Sequence, residues 1–320
     1  MKVVACVVLV VLWLWVPAAQ AGTQKPTVIA LWDGTPPAGS GQGPDRPEHI
    51  VHKTDAHPGV VKYIGKPRMV VLHPDHPNGT AVLVIGGGGY AILAMAQESM
   101  PTAQWLLTLG VTPVILYYRL PDDGWAPVAP FQDAQRAMRL LRARADNLGI
   151  NPHRIGVIGF SAGGNLAGIT ATRFAHDSYP ARDAADRVSS RPDFAGLIYP
   201  VSDLAVDHSG TADQLAAQDN AVAAYTIQSH VTGDTPPTFI VHAADDPVVD
   251  VDTSLSLFRV LHEHGVAAEL HVMEKGGHGF GLGLPGTRAS HWPGLFSSWM
   301  AHHGWLAPVT TMSANPDGHP

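Results

Sequence analysis

Arg154-Ile155-Gly156-Val157-Ile158-Gly159-Phe160-Ser161-Ala162-Gly163-Gly164-Asn165-Leu166 decides how the rest of the chain is read. It opens as an apolar run, Ile155 to Ile158, with the character of a fully buried strand. The run breaks at Gly159-Phe160-Ser161-Ala162-Gly163, and small and apolar residues follow at helical spacing from Leu166 through Ala171. A strand that turns sharply into a helix around a serine matches the G-x-S-x-G elbow. So tight a turn leaves no room for side chains two residues either side of the serine, and Gly159 and Gly163 remove them. Ser161 is then expected in a strained backbone conformation with its hydroxyl exposed above the sheet. The following helix would aim its N-terminal N–H groups at the same point. The bland alternative is a glycine-rich turn around a buried serine. The strand before and the helix after weigh against it.

Working outward, strand-like runs alternate with helical ones. Thr80 to Ile85, Val111 to Tyr118, Phe194 to Tyr199 and Thr238 to His242 are apolar runs of strand length. Gln97 to Leu109, Asp133 to Leu148, Val251 to His264 and Ser290 to His302 carry helical periodicity, the second as a basic amphipathic helix. Ala267 to Met273 alternates like a strand with one wet face. This order predicts an α/β fold: one doubly wound, mostly parallel sheet flanked by helices. Upstream, Thr27 to Trp32, His49 to Lys53, Val60 to Ile64 and Met69 to Leu72 are short β-prone runs, expected as an antiparallel edge leading into that sheet. Asp33 to Arg46 is rich in Gly and Pro and reads as a surface loop. Ser202 to Pro237 is polar and weakly helical, placed where an insertion could cover the site.

Parallel strands deliver their C-terminal ends to one edge. Two further pieces of chemistry follow strands in the order Ser, Asp, His. After Thr238 to His242 comes Ala243-Ala244-Asp245-Asp246-Pro247-Val248-Val249; after Met273 comes Glu274-Lys275-Gly276-Gly277-His278-Gly279-Phe280. His278 is the expected general base and Asp246 the carboxylate that orients it. Asp245 is the rival; Asp246 is preferred because Asp-Pro-Val-Val sets it at the turn into the next helix. Gly86-Gly87-Gly88-Gly89-Tyr90 follows a central strand, where backbone N–H groups of Gly87 and Gly88, with that of Ala162, would form an oxyanion hole. A phosphate-cradling loop is the alternative, but neither Gly-Lys-Ser/Thr nor G-x-G-x-x-G is present. Tyr90, Trp125 and Trp292 are candidate aromatic platforms for a sugar ring, with packing as the competing explanation. The histidine groups His73-Pro74-Asp75-His76, His262-Glu263-His264 and His302-His303 lack the H-E-x-x-H spacing, so no metal and no cofactor is expected.

The chain has 320 residues, 45% hydrophobic and 15% charged, which suits one large folded domain. A net charge of −7 without a basic cluster argues against nucleic acid. Lys2, the uncharged run Val3 to Val16 and Ala19-Gln20-Ala21 have the form of a signal peptide ending at Ala21. The run is short for a bilayer span, and no second candidate follows, so no stable membrane span is expected after cleavage. The single cysteine, Cys6, lies within that segment, so no disulfide and no thiol nucleophile is expected beyond it. The expected organisation is residues 1–21 as leader, 22–306 as a single domain and 307–320 as a mobile tail, with a secreted or periplasmic location.

These residues together resemble the α/β-hydrolase superfamily. Within it, the chain resembles the secreted acetylxylan-esterase-like group of carbohydrate esterases. The likeness runs from about Thr27 to Trp305 and rests on Leu31-Trp32-Asp33-Gly34, Gly86 to Tyr90, Tyr118-Arg119-Leu120, Phe131 to Ala137, Gly159 to Gly164 and Gly276 to Phe280. It implies a cofactor-free serine esterase acting on an acylated carbohydrate or a small ester. Two positions depart from that group's pattern. Gly86 stands where its loop usually has proline, and Asn165, a candidate substrate contact, stands where histidine is common. General short-chain carboxylesterases and prolyl-type serine peptidases share the fold and remain as alternatives.

Overall fold

The computed structural model describes residues 24–37, 42–51, 59–203 and 224–306. The expected leader, the C-terminal tail and residues 204–223 of the expected insertion lie outside the described residues.

The elbow strand is β7, Ile155–Phe160, and every one of its residues is buried. On one side it pairs in parallel with β5, Ala81–Ile85, and on the other with β8, Ala195–Ile198. β8 continues in parallel to β9, Thr238–Ala243, and β9 to β10, Ala268–Met273. On the far side β5 pairs in parallel with β6, Thr112–Tyr117. Then come β4, Arg68–Val71, and β1, Thr27–Ala30, both antiparallel to their neighbours. The sheet therefore runs β1-β4-β6-β5-β7-β8-β9-β10. The central strands read as continuous apolar runs because both faces are covered, as parallel sheets require. β10, at the edge, is only half-buried, and its exposure does not follow its alternating sequence: Val272 is its one exposed residue.

Side chains of β5 show how the two faces are filled. Leu83 and Ile85 join the cluster that holds Met138, Leu166 and Leu257; Val82 and Val84 join the one that holds Leu106, Phe296 and Met300. These residues assign the helices to layers. α2 (Ala129–Ala143), α4 (Ala162–Thr172) and α5 (Val251–Glu263) cover one face. α1 (Met100–Thr108) and α6 (Trp292–His302) cover the other, and α3 (Ala145–Leu148) is a short turn after α2.

Two expectations are corrected. The edge is antiparallel, but only β1 and β4 belong to the main sheet. β2 (His49–Val51) and β3 (Val60–Lys62) form a separate two-stranded ribbon. Backbone bonds between Val61 and Leu93, at 2.9 and 3.1 Å, tie that ribbon to the glycine-rich rim after β5. The helix expected over Asp133 to Leu148 begins earlier, at Ala129, and does not present a basic face to water. Arg136 is 3% exposed and bonds Asp183 and Asp186 at 2.9 and 2.8 Å. Arg139, equally buried, pairs with Asp177. The segment after α4 lays its carboxylates over the helix, so the buried arginines pair with Asp186 beneath it and with Asp183 and Asp177 at its wet edge. Periodicity alone would read them as a solvated stripe.

The two glycines of the elbow are required by packing. A methyl group on Gly159 would lie 2.1 Å from the Gly163 carbonyl oxygen, and one on Gly163 would lie 2.5 Å from the oxygens of both Ile85 and Gly86. These neighbours are backbone and cannot turn aside. Gly163→Ala is therefore expected to cost about 1–3 kcal/mol. At about 2–4 °C per kcal/mol for a domain of this size, that is a clear drop in Tm. Thermal unfolding of the purified variant checks it, and an unchanged midpoint would show that α4 is not packed hard against the end of β5.

Candidate active site

Ser161 leaves β7 with φ 53° and ψ −122°, a region that side chains rarely occupy. Its backbone is held from both directions. The Ser161 N–H donates to the Ile198 oxygen at 3.0 Å, and its carbonyl accepts from Asn165 at 3.0 Å and Val201 at 3.3 Å. The side chain is thereby aimed along one line. Ser161 Oγ lies 2.8 Å from His278 Nε2, and His278 Nδ1 lies 2.8 Å from Asp246 Oδ2. The three side chains come from loops after β7, β9 and β10, so the parallel sheet brings them to one rim.

Asp246 fixes the tautomer. Burial by itself would raise its pKa. Bonds from His242, from His278 and from the backbone N–H groups of Val249 and Val248 outweigh burial and hold the carboxyl well below its usual range. Asp246 is therefore an ionised acceptor, so His278 Nδ1 must carry the proton and donate. Nε2 is left with its lone pair facing the Ser161 hydroxyl, which donates to it. That is the arrangement required of a general base beside a hydroxyl nucleophile.

Asp245, the rival, faces elsewhere. Its Oδ1 accepts from the N–H groups of Gly276 and Gly277 at 2.8 and 2.9 Å, stapling the loop that carries His278. His242, read from the sequence only as the end of a strand, is fully buried. Its Nδ1 lies 2.7 Å from Ser254 Oγ, and its Nε2 lies 3.0 Å from the Val249 oxygen and 3.3 Å from Asp246 Oδ2. It supports Asp246 from below. Its position four residues before Asp246 is the only sequence signal that could have found it.

The glycine loop differs in one respect from expectation. The Gly87 N–H is engaged, donating to Glu98 Oε2 at 2.6 Å, and so is not a free donor. Among the described residues, no acceptor bonds the N–H groups of Gly88, Gly89 or Ala162. Ala162 is the first residue of α4, where an N–H has no partner within the helix. Gly86, at the position where proline was expected, is held by its carbonyl, which accepts from the Tyr118 hydroxyl at 2.9 Å. A Cβ at Gly86 would lie 2.5 Å from Ser99 Oγ, so a larger residue here would need that hydroxyl to turn aside.

Glu98 was not singled out in the sequence. It lies on a π-turn, Met95–Ser99, that leads into α1, and only 4% of it is exposed. Burial pushes its carboxyl up to about 7, partly offset by the Gly87 N–H, the Tyr199 hydroxyl and the nearby His278.

The expected sugar platforms are elsewhere occupied. Tyr90 and Asn165 are fully buried; the Tyr90 hydroxyl donates to Asn165 Oδ1 at 2.8 Å, and Asn165 Nδ2 donates to the oxygens of Val201 and Tyr225, each at 2.8 Å. Trp125 donates to the Ile64 oxygen at 3.0 Å and packs so closely under Gly43 that a Cβ there would lie 2.3 Å from its ring. Trp292, also fully buried, donates to the Gly281 oxygen at 2.9 Å. The three rings are buried, and the Asn165 amide is taken up by internal bonds. They brace the rim from within.

This sheet order, with a strained serine at its centre and the ordered carboxylate and imidazole at neighbouring strand ends, defines an α/β-hydrolase. The BD-FAE family model matches residues 71–261, and the chain belongs to that family. It is 31% identical over 229 residues to the acetylxylan esterase of Xylanibacter ruminicola, covering 68% of this chain and 45% of that one. It is 30% identical over 224 residues to the ethyl acetate hydrolase of Pseudomonas putida, covering 63% of this chain and 66% of that one. The chain thus spans about half to two thirds of the length of these relatives. Among solved structures, the acetyl ester-xyloside bifunctional hydrolase of Caldicellulosiruptor lactoaceticus superposes with a TM-score of 0.73 at 34% identity, over 88% of this chain and 97% of that one. The comparisons support carboxylic-ester hydrolysis. No helix among the described residues is long and apolar enough to cross a membrane.

The two buried carboxyls act on stability with opposite signs. Asp246 has a depressed folded pKa. Its contribution is present above the unfolded value, about 3.9 for Asp, and is lost as pH falls below it. Asp246→Asn should flatten the acid loss of stability, measured by urea unfolding between pH 7 and 3. Glu98 has a raised pKa, so its contribution is complete below its ordinary value of 4.5 and is lost as pH rises through about 7. The stability of Glu98→Gln relative to wild type should therefore improve across that interval. A constant difference between the two proteins from pH 4.5 to 7.5 would show that the carboxyl is not buried.

Proposed function

We propose that this protein is a serine esterase that removes acetyl or other small acyl groups from polysaccharide or oligosaccharide esters. The observation that carries the reading is the continuous relay from Ser161 Oγ through His278 to Asp246, with both contacts at 2.8 Å. His278 Nε2 takes the Ser161 proton as Oγ attacks the ester carbonyl. Asp246 stabilises the imidazolium that forms. The tetrahedral oxyanion is met by the free N–H groups of Ala162, Gly88 and Gly89, where one donor is typically worth about 2.7–4 kcal/mol of barrier. His278 then gives its proton to the leaving sugar hydroxyl, and an acyl group remains on Ser161. Water, activated by the same imidazole, releases the acid and restores the serine. No step calls for a metal or cofactor.

The carbohydrate part of the proposal draws on the acetylxylan esterase relative and on the acetyl ester-xyloside hydrolase, which this chain covers almost throughout. The ethyl acetate hydrolase relative favours a second reading, a general short-chain carboxylesterase. The leader-like segment ending at Ala21 extends the proposal to export from the cytoplasm.

Ser161→Ala should lose labelling by a fluorophosphonate and lower kcat by roughly 10⁴- to 10⁶-fold. Acetate release from acetylated xylan, compared with hydrolysis of nitrophenyl acetate, separates the two readings. Turnover of the nitrophenyl ester alone would remove the carbohydrate assignment, and an unlabelled Ser161 with no ester turned over would remove the serine mechanism.

A further inference from the structure

Glu98 occupies a place that the relay does not explain. A buried carboxyl beside a site that develops negative charge on an ester oxygen is costly to keep, so its partners need a reason. One of its oxygens, Oε2, accepts the Gly87 N–H at 2.6 Å. The other, Oε1, lies 3.0 Å from the Tyr199 hydroxyl, whose oxygen also accepts the Gly281 N–H at 3.0 Å. Gly87 belongs to the glycine loop, and Gly281 lies three residues beyond His278. The Tyr199 ring stands edge-on to the imidazole, with centroids 5.1 Å apart. A methyl group on Gly87 would lie 3.0 Å from Ser161 Cβ and 3.1 Å from Glu98 Oε2, so the carboxyl shares the nucleophile's immediate surroundings.

We propose that Glu98 is a positioning residue for the proposed esterase reaction, a buried carboxylate that locks the oxyanion loop to the histidine loop through Gly87, Tyr199 and Gly281. The proposal rests on the serine-esterase reading and goes beyond it. With the Gly87 N–H directed at Glu98, the loop presents the next N–H groups, those of Gly88 and Gly89, to the reacting carbonyl.

The hydrogen-bond inventory fits the ionised form, against the burial that raises this carboxyl. As a carboxylate, Glu98 accepts from Gly87 and from the Tyr199 hydroxyl, while the Tyr199 oxygen accepts from Gly281, and every donor is used. As a neutral acid donating to Tyr199, it would leave the tyrosine hydrogen without a partner in a fully buried place. Three titratable groups face Glu98 from the elements packed on it: Tyr199 after β8, His278 after β10 and Tyr118 at the end of β6. Of these His278 alone becomes a cation in the proposed reaction, as it takes the Ser161 proton. The ionised Glu98 therefore favours the imidazolium on which the step depends, although it is not bonded to it. Since burial holds its carboxyl near 7, this lock opens within the ordinary working range.

Glu98 must then lose its proton before the lock forms. The acid limb of log kcat/KM against pH should be steeper by one proton in the wild-type protein than in Glu98→Gln. That variant should lower kcat by about 10- to 100-fold, the scale of a small misplacement of reacting groups, with KM changed less than about threefold. Tyr199→Phe keeps the ring but removes one donor to the carboxylate, so its acid limb should keep the wild-type steepness and move to higher pH. It serves also if Glu98→Gln does not fold. The assay is nitrophenyl acetate hydrolysis, with fluorophosphonate labelling of Ser161 as a parallel readout. A wild-type kcat in Glu98→Gln, or an acid limb of the same position and slope in all three proteins, would overturn the proposal while leaving the esterase intact. Absence of labelling and turnover in the wild-type protein would instead overturn the esterase reading, and this proposal with it.

Discussion

Everything at the rim follows from one strained residue. Ser161 holds a positive φ that costs about 1–3 kcal/mol in isolation. It persists because β7 and α4 approach each other closely enough to over-determine the turn. Gly159 and Gly163 make that approach, and the backbone of β5 and β8 closes around it. The same turn frees the Ala162 N–H at the head of α4 and aims Oγ away from the sheet. Strain, free donor and nucleophile are thus three consequences of a single contact between a strand and a helix.

Around that turn, the molecule repeatedly buries charge and gives it partners. Arg119 is fully buried and meets Asp133 through several bonds between 2.8 and 3.0 Å, while Trp32 donates to the same carboxylate at 2.7 Å. Arg136 joins the backbone of Leu31 to the carboxylates beyond α4. These networks fasten the N-terminal segment and α2 to the sheet beneath the β6 side of the rim. Their net contribution to stability is small, because desolvation offsets much of the attraction. What they contribute here is position. Asp246 and Glu98 show how environment divides two carboxyls. Asp246, with four donors, stays ionised. Glu98, with two donors and a dry surrounding, sits near the middle of the physiological range.

The reading of the sequence was soundest where a residue type has few uses. Apolar runs of strand length between helical stretches foretold the parallel sheet, and the glycines around Ser161 foretold the elbow, since only a close backbone approach needs them. The order of serine, aspartate and histidine at strand ends carried the rest. Legibility failed for aromatic side chains and arginines. Tyr90, Trp125 and Trp292 are common both in cores and at sugar sites, and the structure gives all three to internal hydrogen bonds. Arg136 and Arg139 repeat at the spacing of a wet helical face, yet the segment beyond α4 covers them. Gly87 looked like a donor to substrate because the acceptor that takes its N–H stands eleven residues away in a helix-like stretch.

The sequence by itself determined the layers, the sheet and the tight turn at Ser161, because hydrophobic periodicity and obligatory glycines act locally along the chain. Tertiary structure alone decided that His242 backs Asp246 and which N–H groups stay free. It also set the Glu98 bridge between loops almost two hundred residues apart. Those outcomes depend on distances between strand ends, and on what burial leaves without water, which no local pattern encodes.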